Sequence, residues 1–322
     1  MTLVASRKLL SFCIPTYGQP LELKRALDSL LGQDLGEVEI VIRDDNPDSE
    51  TEKIVSEYLT KLPIRYFHMN KEGVDLAFMF VSKEATGDFV WWFGDDVLCP
   101  GTIGRVVDIL KRHKALDFMY VNSTDMSGNT YSVDINGSRH STDRNEVLSE
   151  LKDQLGFCSA MLFRKETLLS GMKKAEKFVG TSWVTLFLSL NTLSVGKLFY
   201  LLDGKNFLSE SKPAGEARWY DSFEVHGINY FLIAQEFKHF FDKYYFRKML
   251  ANKFGRAWRA VIVERALGFE TGFASSSPKI GKMAKLYWSY PEFYIAFPLM
   301  LIPRLILRMF YVVYKGINNF RG

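Results

Sequence analysis

The chain has 322 residues and a mass of 37.1 kDa, enough for one large domain or two modest ones, and its 47% hydrophobic and 24% charged residues exclude a disordered chain. The net charge of +4 is unevenly shared: residues 226–322 hold 15 Lys+Arg against 5 Asp+Glu, which leaves −6 for the first 225. An acidic front and a basic, aromatic rear predict two jobs, with the rear facing an anionic partner such as lipid head groups or nucleic acid.

The opening MTLVASRKLLSFCIP has no long apolar core followed by a small-residue cleavage site, so no secretory signal is expected and the working face is placed in the cytoplasm. Residues 9–14 (LLSFCI) predict a first strand. Leu23, Leu27, Leu30 and Leu31 then recur on one helical face, with Gly32 as the stop. VEIVI (38–42) predicts a second strand, 49–59 a helix, 64–68 a third strand, 75–85 a helix and DFVWWF (88–93) a fourth strand. Nearly all-apolar strands separated by single helices predict a parallel sheet covered on both faces. Beyond Arg112 shorter strands are expected near 117–121 and 157–163, with helices near 145–155 and 165–190. Cys13, Cys99 and Cys158 lie in apolar stretches without metal or disulfide spacing and read as buried, reduced thiols.

Ligands of such sheets bind at the carboxyl ends of the strands. There the sequence places Pro15-Thr16-Tyr17, then Asp44-Asp45-Asn46, then Asn70 and Gly73, then Gly94-Asp95-Asp96, and four polar clusters on one edge imply one site. No G-x-G-x-x-G follows the first strand and no G-x-x-x-x-G-K-[ST] occurs, which removes the dehydrogenase and P-loop readings. Taken alone, each cluster reads as a strand-to-helix turn, and Asp96 as a cap for the helix near Pro100. Two adjacent carboxylates after a buried strand also repel unless a cation sits between them, and hard divalent ions take such ligands.

In order and spacing, SFCIPTYGQP, IVIRDDNPDSET, NKEGVD and DFVWWFGDD resemble the family 2 glycosyltransferases of the GT-A fold. FCSAMLFRKE and FVGTSWVTLFLSL are similar to the branch containing abequosyltransferases and other O-antigen sugar transferases. The resemblance covers about the first 225 residues. It implies a Rossmann-like α/β catalytic domain over residues 1–225 and leaves 226–322 as a helical, basic, amphipathic region. It further implies that Pro15, Thr16 and Tyr17 line a base pocket and that Asp44 or Asp45, with Asp45 preferred, binds base or ribose. Gly73 and Asp75 belong to the donor side. Asp95 falls near the ribose, and Asp96 holds Mg2+ or Mn2+ on the donor diphosphate. Thr181 and Trp183 fall on the acceptor side.

Inversion at the anomeric carbon, the family's usual outcome, needs a general base for the acceptor hydroxyl. Relatives often place an acid or histidine near the helix that follows GTSW, where this chain has Thr185. The candidates left are Asp221, preferred, with Glu216 and Glu210, on a stretch where Pro213 and Gly215 predict a loop; Arg218 is a diphosphate candidate because a guanidinium forks onto phosphate oxygens. Relatives also usually place an Asn two residues after the acid found here as Asp75, where this chain has Ala77.

From Tyr230 onward the sequence predicts helices rich in Phe, Tyr, Lys and Arg, with no nucleic-acid recognition module. Residues 294–314 would extend about 30 Å as one helix. Their eleven Leu, Ile, Phe and Val favour insertion by roughly 3–7 kcal/mol, and Arg304 with Arg308 oppose it by about 5–7. Arg304, Arg308, Tyr311 and Lys315 share a helical face, and Pro298 and Pro303 interrupt the helix, so an interfacial position on an anionic membrane is expected, rather than a span or a docked helix. The combined expectation is a peripheral enzyme on the cytoplasmic face of the inner membrane. It would take a nucleotide-sugar donor and a lipid-linked saccharide acceptor. The alternatives are a noncatalytic protein of the same fold and, more remotely, an RNA-binding protein.

Overall fold

The computed structural model describes residues 8–125, 129, 133, 135–209, 223–267 and 277–319. The chain forms two compact units, Met1–Glu210 and Ser211–Gly322.

In the first unit, β1 (Leu10–Thr16), α1 (Pro20–Leu30), β2 (Val38–Asp44), α2 (Glu50–Ser56), β3 (Ile64–His68), α3 (Val74–Glu84) and β4 (Phe89–Trp92) alternate as expected. The strands lie in the order β3-β2-β1-β4, all parallel, with Thr16 beside Asp44 and Asp44 beside His68. That register gathers their carboxyl ends on one edge. Trp91 and Trp92 point to opposite faces of β4, as neighbours on a strand must. Trp91 meets Phe12 at 5.2 Å and donates its indole N–H to the Ser159 carbonyl; Trp92 meets Phe163 at 4.5 Å and donates to the Ser82 hydroxyl. Both are fully buried with their one polar atom satisfied, which accounts for part of the aromatic content. Gly87 is forced: a Cβ there would come within 2.8 Å of the Leu10 and Ser11 backbone.

The sheet continues through β5 (Val97–Leu98), α4 (Thr102–Arg112), β6 (Phe118–Asp125), β7 (Arg139–Ser141), α5 (Arg144–Leu151), β8 (Met161–Arg164), α6 (Lys165–Ser170), α7 (Met172–Ala175), α8 (Val184–Val195) and β9 (Phe199–Ser209). β8 runs antiparallel to β4 and β6, and β9 antiparallel to β5 and β7, so the sheet is mixed beyond its parallel first half. The helical stretch expected over 165–190 is divided into α6, α7 and α8, with Gly180 and Ser182 taking positive φ values of 89° and 63° ahead of α8.

In the second unit a π-helical turn (Phe223–Asn229) leads into α9 (Tyr230–Gln235), α10 (Lys243–Leu267), α11 (Ser277–Tyr287), α12 (Pro291–Leu301) and α13 (Arg304–Asn319). Its core centres on Tyr287, fully buried, stacked on Phe254 at 4.4 Å, edge-on to Phe231 at 4.7 Å and donating its hydroxyl to the Gly227 carbonyl. Part of the aromatic surplus of the rear is therefore core. No single helix among the described residues is long and apolar enough to cross a membrane. Of the two interruptions expected within 294–314, one is found, with α12 and α13 meeting at Ile302-Pro303. Pro298 sits within α12 without ending it; Pro303 ends it, because its ring removes an amide and clashes with the preceding turn.

Candidate functional site

The four strand ends are tied together by short polar contacts. After β1 the chain turns at Gly18, φ +66°, whose amide donates to Asn46 Oδ1 at 2.5 Å, while the Asp45 amide donates to the Thr16 carbonyl at 3.1 Å. Gln19 Nε2 donates to Asp95 Oδ2 at 3.0 Å, which joins the β1 and β4 ends. Tyr17 is half exposed, with the Lys71 ammonium 3.9 Å from its ring centre. Gln19 and Lys71 were not singled out from sequence, since neither residue type nor spacing marks them.

The acids after β2 are committed to neighbours. Asp44 is fully buried and accepts from the Tyr66 hydroxyl at 2.6 Å and the Asn46 amide at 2.9 Å; burial together with Asp44 pushes the Tyr66 phenol well above its usual range. Asp45 receives Arg43 Nε at 2.6 Å, and Arg43 Nη2 also reaches Glu72 at 2.8 Å. The signal for Arg43 was present in the sequence as a lone cation in the apolar run IVIRDD, a pattern that demands a buried partner.

Asp95 and Asp96 connect β4 to β5. Asp96 is buried and accepts from the Ser209 hydroxyl at 2.5 Å, while the Gly94 amide donates to Ser159 Oγ at 2.9 Å. Among the described residues no group of three or more His, Cys, Asp or Glu gathers around a metal-sized space. Two carboxylates alone still suit Mg2+ or Mn2+, which are commonly held by one or two carboxylates with substrate phosphate and water completing the shell.

Cys158 lies against this pair, and its thiol is pushed up to about 12 by burial and by the charges of Asp96 and Asp95. Cys158 and Cys99 are only partly buried, in contrast to Cys13. Alkylation of Cys158 at pH 8 is accordingly expected to run on the order of a thousandfold slower than that of an ordinary thiol, for want of thiolate. Asp96→Asn should speed it by removing one negative charge, as peptide mapping after iodoacetamide would show; an unchanged rate would separate Cys158 from the acid pair.

Asp75 sits in the first turn of α3, 4% exposed. Its carboxylate accepts from the amides of Gly180 at 2.9 Å, Ser182 at 2.8 Å and Val184 at 3.0 Å, and so closes the amino end of α8 from across the fold. Burial lifts this carboxyl above its usual range, and the amides of the 180–184 turn pull it the other way. Asp75 thereby fixes the turn that carries Thr181 and Trp183. The Thr181 hydroxyl donates to the Phe178 carbonyl at 2.6 Å, and Trp183 lies so close over Gly156 that no Cβ fits there. Gly73 precedes α3 with φ +97°. Asp221, Arg218, Glu216 and Glu210 lie outside the described residues.

Residues 11–168 match the family described as Glycosyl transferase family 2. The minor teichoic acid biosynthesis protein GgaB of Bacillus subtilis is 28% identical over 165 residues, 49% of this chain and 18% of that protein. The GalNAc(5)-diNAcBac-PP-undecaprenol beta-1,3-glucosyltransferase of Campylobacter jejuni is 25% identical over 187 residues, 55% of this chain and 59% of that protein. The chain spans under a fifth of the length of the first curated relatives it matches. Among solved structures, S. aureus TarS 1-349 in complex with UDP-GlcNAc superposes with a TM-score of 0.65 at 19% identity, covering 88% of this chain and 82% of that one. That likeness establishes the GT-A fold.

Proposed function

From the premise that this chain carries a family 2 glycosyltransferase domain over residues 11–168, we propose that it moves a sugar from a nucleoside-diphosphate donor to a lipid-linked saccharide during assembly of an O-antigen-like surface polysaccharide. The observation that carries this reading is the joining of four strand ends into one polar edge, with Asp95 tied to Gln19 and Asp96 to Ser209. A nucleotide-sugar is named in the complex of the structural neighbour TarS, and a lipid-linked acceptor in the name of the Campylobacter relative.

Pro15, Thr16 and Tyr17 would flank the base, Asp45 or Asp44 the base or ribose, and Gly73, Asp75 and Arg218 the donor side. Asp96, with Asp95, would hold Mg2+ or Mn2+, which when bound offsets the negative charge of the departing nucleoside diphosphate. The acceptor hydroxyl attacks the anomeric carbon as the bond to the diphosphate breaks, inverting that centre, and a base takes the hydroxyl proton. We assign that base to Asp221 and the acceptor side to Thr181 and Trp183. A peripheral position on the cytoplasmic face of the inner membrane follows from a lipid-linked acceptor.

Calorimetry with UDP, CDP, GDP and dTDP, each with and without Mn2+, tests this. One nucleotide should bind in a metal-dependent manner, and about tenfold or more weakly to Asp96→Asn, which lacks one of two carboxylate ligands. Binding indifferent to metal and substitution would remove Asp96 from the role. Nucleotide binding without turnover on any lipid-linked acceptor would favour a noncatalytic protein of the same fold, and no nucleotide binding by folded protein would defeat the reading.

A further inference from the structure

We infer that α12 and α13 form a bent, in-plane docking surface for an anionic lipid monolayer. The inference deepens the proposed function by supplying the surface that holds the enzyme beside a lipid-linked acceptor, and it rests on that reading only for the location.

The two helices have 11 and 16 residues and meet at an angle of 100°. At 1.5 Å per residue they are about 16 and 24 Å long, each short of the roughly 30 Å hydrocarbon core. The elbow is built in. Pro303 ends α12, its carbonyl accepts the amides of Ile306 and Leu307 that open α13, and Arg265 of α10 donates to the Ile302 carbonyl at 3.0 Å. Phe293 and Ala296 of α12 and Leu307 of α13 are buried on the inner side, where both helices pack on α10.

The outer side is apolar and open to solvent. Ile295 is 66% exposed, Leu301 53%, Leu305 74%, Met309 66% and Phe310 64%. At 100° per residue, Leu305, Met309 and Val312 point away from Leu307, while Arg304 and Arg308, both exposed, run along the flank between the buried and outer sides. An apolar row of this extent marks an interaction surface. Trp288 and Tyr294, both 63% exposed, add the aromatic type that favours the head-group layer.

Charge selects the occupant. Residues 293–322 contain no Asp or Glu, so pairing two copies through this surface sets the same arginines near each other with no acid to answer them. Lipid phosphates answer them directly. An amphipathic helix of this kind lies about 5–10 Å into the head-group boundary, with arginines at the phosphates and the apolar row in the acyl chains.

The test is flotation of the full chain, without nucleotide, on vesicles of phosphatidylcholine and on vesicles with about a third of the lipid as phosphatidylglycerol. Binding should be at least tenfold stronger on the anionic vesicles and fall roughly thirtyfold in Arg304→Gln/Arg308→Gln, two charges being removed. Leu305→Ser/Met309→Ser should abolish it while circular dichroism and nucleotide calorimetry stay unchanged. That separation keeps a failure of docking distinct from a failure of the glycosyltransferase reading. Folded protein that ignores anionic vesicles, or binding that survives Leu305→Ser/Met309→Ser, would overturn the inference. So would a dimer in analytical ultracentrifugation that those two substitutions dissociate, because a second copy would then be the occupant.

Discussion

Asp75→Ala is expected to lower the free energy of unfolding by about 3–5 kcal/mol, measured by urea denaturation. The substitution strands three backbone amides, those of Gly180, Ser182 and Val184, which now share one carboxylate. An unmet buried donor costs about 1–3 kcal/mol. The estimate stays below three times the upper figure because Gly180 is exposed and Ser182 half-buried, so water can reach part of the turn once the acid is gone. Asp75→Asn keeps one acceptor oxygen and should cost about 1–2 kcal/mol. The Asn variant is the informative one for function. With Asp75 on the donor side and Thr181 and Trp183 on the acceptor side of the turn that it holds, Asp75→Asn should weaken nucleotide binding and raise the acceptor KM together. A raised acceptor KM with nucleotide affinity unchanged would instead confine Asp75 to holding the turn and remove it from the donor side. An Ala variant as stable as the wild type would mean that the turn holds itself, through Thr181 and the packing of Trp183 on Gly156.

The parallel half of the sheet was legible because a strand buried on both faces is nearly all apolar, as VEIVI and FVWWF are apart from Glu39. The ends of these strands were legible for the opposite reason, since polar clusters there interrupt the apolar runs. β9 has no counterpart among the expected strands: polar Asp203, Gly204 and Lys205 interrupt its apolar residues, and it runs through Gly204 at φ +92° with a register shift against β6. The partners of the acids were not legible at all. Asp75 lies over a hundred positions from the amides that it receives, and Asp44 meets Tyr66 across β2 and β3. Periodicity reports local geometry, and these pairings are made by topology. At 294–314 the sequence marks two prolines as interruptions and does not distinguish them, and only Pro303 ends a helix while Pro298 sits within α12.

Arg43→Met is expected to destabilise the protein by about 3–5 kcal/mol, the cost of leaving a buried carboxylate without its cation. Arg43 is 1% exposed and Asp45 4%. Beyond the 2.6 Å bond to Asp45, Arg43 reaches Glu72 at 2.8 Å and the Asn70 and Leu76 carbonyls at 3.4 Å, and its guanidinium lies 5.1 Å from the Phe80 ring. This one side chain therefore fixes the β2 end against the segment that enters α3. Glu72 is half exposed and keeps its water when Arg43 is lost; Asp45 does not. The double variant Arg43→Met/Asp45→Leu should recover much of the loss, because an apolar pair of similar volume replaces two buried charges at little net cost. Recovery makes the functional question separable from the structural one. A stable double variant that no longer binds nucleotide assigns Asp45 to the ligand, since stability is then excluded as the cause. A stable double variant that binds normally confines Asp45 to holding Arg43. The acid facing base or ribose would then have to be Asp44, whose two oxygens already serve Tyr66 and Asn46, so Tyr66→Phe should in that case alter nucleotide affinity.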